Sequence, residues 1–296
     1  MRKTGFVAIV GLANAGKSTL LNALIKQKIA IVSPKPQTTR DNLLGIWTDE
    51  DSQIVFVDTP GFLKSRNVLG DYMLKNITDA VKDVDCILVA VDGHDGIDEK
   101  ELGQVRRYAK SGLPVVVAVT KIDITQPEKL MPELAKLNQI EGISEVYCVS
   151  AFKNRNVEQL KTALKGYLQG TEMYFEEDDV TDKSQRYLVS EIIREKILLA
   201  CDDEIPHGVG IALNKMEYSD DEGRWEIDAN IVVEKASHKP IILGKHGEMI
   251  KSIGTSARAS MQKLLDSPVR LDLWVKVKED WRNNKYVMTQ LGYTSD

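Results

Sequence analysis

The chain is poor in features that mark secreted, membrane-spanning and metal-cluster proteins. Its 296 residues include three cysteines, which lie far apart without metal-ligand spacing, and this argues against a disulfide framework or a zinc site. No apolar run approaches the ~20 residues that cross a bilayer. The first apolar run is too short, and too soon followed by a glycine-rich loop, to be a secretory signal. We therefore expect a cytoplasmic protein with reduced, buried thiols.

Positive charge is also scarce for a nucleic-acid-binding protein. The 39 Lys and Arg residues are outnumbered by 44 Asp and Glu residues, which gives a formal net charge of −5. Because domains that bind nucleic acid are often basic overall, any such surface here has to be local. The length suits about two domains, on the rough scale of ~150 residues each.

A glycine-rich loop near the start of the chain is the strongest signal present. It lies between an apolar run at 6–10, which predicts a strand, and helical spacing at 19–25. The pattern G-x-x-x-x-G-K-S in this context binds phosphates through backbone N–H groups and a helix N-terminus. Lys17 is expected to bind the β- and γ-phosphates, and Ser18 to bind Mg²⁺. The predicted nucleotide contacts are Gly11, Leu12, Ala13, Asn14, Ala15, Gly16, Lys17, Ser18 and Thr19.

A polar segment with two prolines follows the first helix and predicts a loop. A loop in this position can fold over the γ-phosphate, and Thr39 can then supply a second hydroxyl ligand for Mg²⁺. Read alone, the segment favours an ordinary polar turn, whereas the motifs that follow it favour a switch. The predicted switch residues are Gln37, Thr38, Thr39, Arg40 and Asp41.

The next apolar strand ends in an Asp-Thr-Pro-Gly sequence. Asp58 is expected to reach the Mg²⁺ site through a water, and Gly61 has no side chain to block its N–H from the γ-phosphate. Phe62 stands where many such enzymes place a water-orienting Gln, so either hydrolysis is absent or another group supplies the missing stabilisation. The predicted contacts are Asp58, Thr59, Pro60, Gly61 and Phe62, and the predicted catalytic residues are Lys17, Thr39 and Gly61.

Two continuous apolar runs, at 86–92 and 114–120, predict strands that are covered on both faces. Such strands belong to a parallel sheet with helices between them. The second run ends in Thr-Lys-Ile-Asp, which is either a strand end with a capping Asp or a recognition site for a base. The carboxyl edge of the sheet, where this class of fold binds ligands, favours the base.

Guanine fits this site better than adenine. Asp123 can accept two hydrogen bonds from guanine, from a donor pair that adenine lacks, and the stem of Lys121 can lie along the base plane. A weaker Ser-Ala signal follows the strand at 146–149 and fits either a contact to guanine O6 or a plain helix cap. The predicted base contacts are Thr120, Lys121, Ile122, Asp123, Ser150 and Ala151.

The second half of the chain follows an acidic stretch at 173–184, which predicts a linker. The elements beyond it have the order helix–strand–strand–helix–helix–strand. A Gly-Lys-His-Gly loop at 244–247 joins the two middle helices. A loop of this kind brings bare backbone close to nucleic-acid phosphates, as in the KH module.

The flanks of this loop offer charge and apolar surface for RNA. Basic residues outnumber Glu248 there, and Ile250 and Ile253 are expected to form an apolar floor for unpaired bases. The alternative is a capping loop with a solvated basic helix face. The predicted RNA-binding residues are Lys239, Ile241, Ile242, Gly244, Lys245, His246, Gly247, Ile250, Lys251, Ile253 and Arg258.

The motifs of the first half resemble the guanine-nucleotide-binding domain of TRAFAC-class GTPases. Thr120 departs from the usual Asn, which mainly ties loops together, so we expect a modest loss of affinity with retained guanine preference. Asn14 and the Thr-Thr-Arg sequence of the switch resemble those of one branch of these GTPases, whose members have a hydrophobic residue at the usual Gln position. The resemblance implies K⁺-stimulated hydrolysis with Asn14 as a K⁺ ligand. The alternative is that Asn14 merely stabilises a turn.

Over nearly its whole length the chain resembles the bacterial Era family of GTPases. The expected fold is an α/β phosphate-loop GTPase domain with a mostly parallel sheet at 1–172. An acidic linker follows at 173–184, and an α+β type II KH domain at 185–296.

The resemblance implies a slow GTPase that uses Mg²⁺ and K⁺ and binds the 3′ end of 16S rRNA. It implies a role in 16S rRNA processing and in assembly of the small (30S) ribosomal subunit. It also implies a cytoplasmic monomer with peripheral contact to the inner face of the membrane. A nucleotide-gated RNA-binding scaffold without turnover is the main alternative. An adenine-nucleotide enzyme is disfavoured by Lys121 and Asp123.

Overall fold

A computed structural model of the chain describes residues 2–35, 38–61, 65, 67–201 and 208–293. These residues form two compact units. The first contains most of the chain up to Asp182, and the second contains the chain from Lys183 onward together with residues 33–35, 65 and 67–72. Most of the segment predicted as a linker therefore groups with the first unit.

The first unit is built on a six-stranded sheet with the strand order β2-β3-β1-β4-β5-β6. All neighbouring strands are parallel except β2 and β3, which confirms the expected mostly parallel sheet. The strands are β1 (Lys3–Val10), β2 (Leu43–Thr48), β3 (Ser52–Asp58), β4 (Cys86–Asp92), β5 (Val115–Thr120) and β6 (Glu145–Cys148). The helices between and after them are α1 (Lys17–Ile25), α2 (Val68–Ala80), α3 (Glu99–Ala109), α4 (Pro127–Asn138) and α5 (Val157–Lys165). Residues 68–72 of α2 group with the second unit, and the rest of this helix groups with the first.

Burial explains the continuous apolar runs of the central strands. Every residue of β3, β4 and β5 is buried, because helices cover both faces of a parallel sheet. The antiparallel edge strand β2 was not among the five strands expected from the sequence. Gly45 interrupts its apolar pattern, and a Cβ at this position would lie 2.5 Å from Cδ1 of Leu21 on α1.

The acidic segment at 173–182, which we call the acidic strap, is bonded to the outer side of β2 and to the buried side chain of Gln53. The N–H of Ile46 donates to the carbonyl of Val180 at 2.9 Å. Gln53 Oε1 accepts from the N–H groups of Tyr174 at 2.8 Å and Phe175 at 3.1 Å, while its Nε2 donates to the Phe175 carbonyl at 2.9 Å. These bonds fix the strap at both ends.

The second unit has the helix and strand order expected from the sequence. Its sheet has the order β7-β8-β9, with β7 and β8 antiparallel and β8 and β9 parallel. One core joins buried residues of α6, β8 and α8, among them Ile193, Ile231 and Met261. The elements are α6 (Gln185–Ala200), β7 (Val209–Ser219), β8 (Arg224–Val233), α7 (His238–Leu243), α8 (Glu248–Leu265), β9 (Val269–Val277) and α9 (Lys285–Gln290).

The segment after β9 also packs into the second unit. Trp281 is fully buried, its Nε1 donates to the carbonyl of Gly208 at 2.8 Å, and its ring stacks on Tyr293 with centroids 6.1 Å apart. The sequence did not predict this segment, because a single 3₁₀ turn and the six-residue helix α9 are too short for a readable period.

Candidate functional site

The glycine-rich loop joins β1 to the first residue of α1, Lys17. Gly11 permits close packing, since a Cβ there would lie 2.3 Å from the carbonyl oxygen of Ala90. Asn14 and Gly16 adopt the left-handed conformation, with φ of 66° and 82°. Lys17 Nζ donates to the carbonyls of Gly11 at 3.2 Å and Leu12 at 2.9 Å. The loop therefore curls around the ammonium group, as expected for a phosphate cradle.

Three oxygen-bearing side chains from separate segments meet next to this loop. Ser18 Oγ donates to Asp58 Oδ2 at 2.7 Å and lies 2.8 Å from Thr39 Oγ1. Thr39 Oγ1 in turn lies 3.4 Å from the same Asp58 oxygen. Ser18 is the second residue of α1, Asp58 ends β3, and Thr39 precedes β2. The three residues predicted as Mg²⁺ ligands are thus brought together.

Burial shifts the pKa values of the two charged groups at this cluster, Asp58 and Lys17. Burial raises the pKa of Asp58 to about 6, against the charge of Lys17 and the hydroxyl bonds, which lower it. Burial also lowers the pKa of Lys17 to about 8. Asp58 Oδ1 is buried and has no hydrogen-bond partner among the described residues. A carboxylate and two hydroxyls are hard oxygen donors of the type that Mg²⁺ prefers, so the residues present fit that ion.

The chain after β3 packs directly against the phosphate loop. Thr59 Oγ1 donates to the carbonyl of Ile9 at 2.9 Å and anchors this turn. A Cβ on Gly61 would lie 2.7 Å from Ala13 Cα and 2.8 Å from Ala13 N. The backbone of Gly61 therefore lies against the loop with no room for a side chain.

The predicted switch residues are described in part. Arg40 is buried, and Asp41 Oδ1 accepts from Asn76 Nδ2 at 3.2 Å. Thr38 precedes Thr39 in a segment without helix or strand. Gln37 and Phe62, which the sequence analysis assigned to the switch and to the usual Gln position, lie outside the described residues.

Thr120 ties the segment that is predicted to recognise the base to the glycine-rich loop. Its Oγ1 is buried and bonds to the carbonyl of Ala15 at 2.9 Å and to that of Val91 at 3.1 Å. The usual Asn at this position was expected to tie loops together. The Thr120 hydroxyl contacts the phosphate loop at Ala15 and the end of β4 at Val91.

The remaining predicted base contacts lie at the carboxyl ends of β5 and β6. Lys121 Nζ forms an ion pair with Asp92 Oδ2 at 2.5 Å, and the half-buried Asp123 lies two residues beyond it. The Ile122 N–H points at the Val149 carbonyl, 3.5 Å away. Ser150 is buried, and its Oγ accepts from the N–H of Lys153 at 3.0 Å. Ala151 follows as a half-buried residue.

The two glycines of the loop in the second unit differ in what surrounds them. Gly244 has φ of 72°, and a Cβ there would lie 2.6 Å from Cβ of Met249. Gly247 has φ of 80° with open space around it. Lys245 and His246 between them are exposed, and His246 also has positive φ, at 53°. The loop therefore presents backbone and one fixed positive charge to solvent.

The predicted RNA surface divides into exposed and buried residues. Lys239, Lys251 and Arg258 are exposed, Ile241 is 48% exposed, and Ile250 is half-buried. Ile242 and Ile253, in contrast, belong to the core. The expectation that Ile253 forms an apolar floor is corrected by the structure, because the helical period places it on the core face of α8 with Ala257 and Met261.

Two family models match the chain, one in each half. Residues 6–121 match the family described as "50S ribosome-binding GTPase", and residues 204–282 match the KH domain. "GTPase Era" of Clostridium botulinum (strain Kyoto / Type A2) is 41% identical over 293 residues, covering 99% of both chains. "GTPase Era" of Clostridioides difficile (strain 630) is 43% identical over 299 residues, again covering 99% of both.

Two solved structures are similar over the full chain. A variant of Aquifex aeolicus Era bound to GDP and AlF4⁻ has a TM-score of 0.94 at 35% identity and covers 99% of this chain and 100% of that one. Era in complex with MgGDPNP and nucleotides 1506–1542 of 16S ribosomal RNA has a TM-score of 0.95 at 35% identity and covers 100% of both chains.

Proposed function

The chain belongs to the Era family of GTPases, and from this premise we propose that it is a GTP-hydrolysing switch whose nucleotide state controls binding of single-stranded ribosomal RNA. The observation that carries the proposal is the meeting of Ser18, Thr39 and Asp58 beside the loop that surrounds Lys17. Thr39 is the member of this cluster that a loop can withdraw. Loss of the γ-phosphate therefore releases the segment around Thr39.

We assign the phosphates of GTP to the residues at the start of α1. The backbone N–H groups of residues 11–19 bind the phosphate oxygens, and Lys17 adds a point charge to the β- and γ-phosphates. Gly61, at the end of the Asp58–Gly61 turn, donates its N–H to the γ-phosphate. Ser18, Thr39 and Asp58 are the residues that would hold Mg²⁺, which supplies positive charge to the triphosphate when bound.

We propose that hydrolysis is slow and depends on positioning and charge. Phe62 at the usual Gln position has no group that orients or deprotonates water. Lys17, Thr39 and Gly61 act by fixing the γ-phosphate. Asn14, in the left-handed conformation at the tip of the phosphate loop, is the proposed K⁺ ligand, and K⁺ there would supply charge for the transition state. Equal turnover in K⁺ and Na⁺ buffers would contradict this role.

The base of the nucleotide is assigned to the ends of β5 and β6. Asp123 accepts the paired N–H groups of guanine, the stem of Lys121 lies along the base, and the backbone of Ser150 and Ala151 contacts O6. Thr120 and Ile122 hold this segment in place through the bonds described above. Competition of bound GTP by GDP but not by ATP checks this assignment.

We propose that the second unit binds the 3′ end of 16S rRNA, by analogy with the Era complex that contains nucleotides 1506–1542. The amides around Gly244 and Gly247 approach the phosphates, with Lys239, Lys245, Lys251 and Arg258 supplying charge. His246, Ile241 and Ile250 border the unpaired bases. Ile242 and Ile253 support this surface from the core. We further propose roles in 16S rRNA processing and in 30S subunit assembly.

The proposals on cellular context rest on the family alone. They are that the protein is a cytoplasmic monomer and that it contacts the inner face of the membrane peripherally. Among the described residues, every helix is too short or too polar to serve as a membrane span.

The experiment that tests the main proposal measures RNA affinity and phosphate release together. RNA corresponding to the 3′ end of 16S rRNA is titrated with the full chain bound to GDP or to a non-hydrolysable GTP analogue. We expect the GTP-analogue form to bind more tightly. Single-turnover phosphate release, with and without RNA and K⁺, then measures hydrolysis.

Two variants make this experiment decisive. Lys17→Ala and Asp123→Ala remove one phosphate contact and one base contact, and both are expected to make RNA affinity independent of the nucleotide added. Equal RNA affinity of the wild-type protein with either nucleotide would refute the switch. Absent phosphate release with intact nucleotide-dependent RNA binding would instead support the non-hydrolysing scaffold.

A further inference from the structure

We infer that Asp92, at the end of β4, is a positioning residue that sets the affinity for the guanine base by holding Lys121 in place. The inference rests on the proposed GTP site and deepens it. The juxtaposition that carries it is the ion pair between Asp92 Oδ2 and Lys121 Nζ, 2.5 Å apart, across the carboxyl ends of the neighbouring strands β4 and β5.

Asp92 is itself held rigidly. Its Oδ1 accepts from the N–H groups of His94 at 2.9 Å and Asp95 at 3.3 Å. Its own N–H donates to Oε1 of the buried Glu101 at 3.0 Å. The side chain of Asp92 is 10% exposed, against 31% for Lys121. The carboxylate is thus a fixed point to which the more exposed lysine is bonded.

Lys121 is fixed at its other end as well. Its backbone adopts φ of 59°, a conformation that residues with side chains rarely adopt and that is retained where the surrounding structure enforces it. Its carbonyl accepts from Thr125 Oγ1 at 2.8 Å. With both ends held, the methylene stem of Lys121 spans from the end of β5 to the end of β4.

This arrangement holds the methylene stem of Lys121 as an apolar surface for the base before the nucleotide binds. A free lysine would have to be ordered on binding, and that ordering weakens affinity. By the usual cost of ordering one long side chain, loss of the anchor is expected to weaken nucleotide binding about three- to tenfold. The γ-phosphate has no part in this contact, so GTP and GDP are affected alike.

The test uses the full chain with Asp92→Asn, which keeps an oxygen for the two backbone N–H groups and removes the charge that holds Lys121. We expect the affinities for fluorescent GTP and GDP analogues to fall by the same factor, about three- to tenfold. The KM for GTP should rise by that factor with kcat unchanged. Asp92→Glu, which restores the charge, is expected to recover part of the loss.

A double mutant separates positioning from general damage. Lys121→Met keeps an unbranched stem without the ammonium, and Asp92→Asn/Lys121→Met is expected to bind no more weakly than Lys121→Met alone. The control is Ser184→Ala, which removes the side-chain cap of α6 and leaves the ion pair and the bonds to Asp92 intact. This control should lower the melting temperature without changing nucleotide affinity.

The outcomes are distinct. Wild-type affinity in Asp92→Asn, or a full additive loss in the double mutant, would overturn the positioning role while leaving the GTP site standing. A fall in kcat with unchanged KM would also overturn it. Failure of the wild-type chain to bind any guanine nucleotide would overturn both proposals.

Discussion

Thr120→Val tests whether one buried hydroxyl holds the phosphate loop to the base segment. Valine keeps the branched shape and removes the donor to the carbonyls of Ala15 and Val91. The hydroxyl has one hydrogen, so it satisfies one carbonyl at a time. A buried hydrogen bond contributes about 1 kcal/mol, and a buried carbonyl left unpaired costs about 1–3 kcal/mol. We expect a loss of about 1–2 kcal/mol in the free energy of unfolding.

This loss should also appear in nucleotide binding, because the bond orders Ala15 within the phosphate loop. If the whole loss of about 1–2 kcal/mol appears in the free energy of nucleotide binding, the affinity for GDP decreases about five- to thirtyfold. The measurements are dissociation of a fluorescent GDP analogue in stopped flow and thermal unfolding with and without GDP. The melting temperature should fall by about 2–4 °C for each kcal/mol.

The matched control is Thr162→Val on α5. Thr162 Oγ1 donates to the carbonyl of Glu158 at 2.9 Å on an exposed helix face, so its removal should leave GDP affinity unchanged. If Thr120→Val binds GDP as tightly as the wild-type protein and unfolds at the same temperature, the hydroxyl does not tie these segments. Equal weakening of both variants would mean that the loss is not specific to the phosphate loop.

Three further predictions concern the metal cluster, the turn after β3 and the loop of the second unit. In the nucleotide-free protein the pKa of Asp58 lies above its ordinary 3.8, at about 6, so its contribution to stability is present below pH 3.8 and is lost as pH rises through about 6. By the same shift, calorimetry should show Mg²⁺ affinity falling as pH drops below about 6, and Asp58→Asn should abolish both pH dependences. Gly61→Ala places a Cβ 2.7 Å from Ala13 Cα and so displaces the N–H that we assign to the γ-phosphate. It should weaken binding of a GTP analogue about tenfold or more relative to GDP. Equal weakening for both nucleotides would contradict the assigned γ-phosphate contact. Lys245→Glu should weaken RNA binding and reduce its salt slope by about 1, with GDP affinity unchanged as the control.

Part of the nucleotide site was predictable from the strand pattern. Ser18 lies in the first turn of α1, after β1, and Asp58 ends β3. Because parallel strands bring their carboxyl ends to one edge, these two residues had to meet once the sheet was recognised. Thr39 lies on the loop between α1 and β2, so its place in the cluster was predicted from the order of the motifs. Asp92 carried the same signal, an acidic residue at the end of an apolar strand. It was not predicted as a site residue, because it lies in none of the five motifs read from the sequence and its partner Lys121 follows a different strand, β5.

Tertiary packing determines three features that local sequence patterns did not predict. Ile253 looks like a surface residue beside a glycine loop, but its spacing from Ala257 and Met261 places it in the core. Trp281 has no periodic neighbours, so its burial depends on the distant carbonyl of Gly208. The acidic stretch reads as a linker by composition, and its attachment depends on Gln53, more than a hundred residues earlier.

The acidic strap also covers the outer edge of the sheet in the first unit. A sheet that ends in an uncovered strand is a template for intermolecular pairing and for fibril growth. The Ile46 and Leu44 N–H groups on the outer side of β2 are already bonded, to Val180 and to Asp182, and four consecutive exposed carboxylates at 176–179 repel an incoming chain. The opposite margin, β6, is four residues long, which is short for stable recruitment of a neighbour. The segment that precedes the second unit in the chain therefore closes an edge to which another strand could otherwise be added.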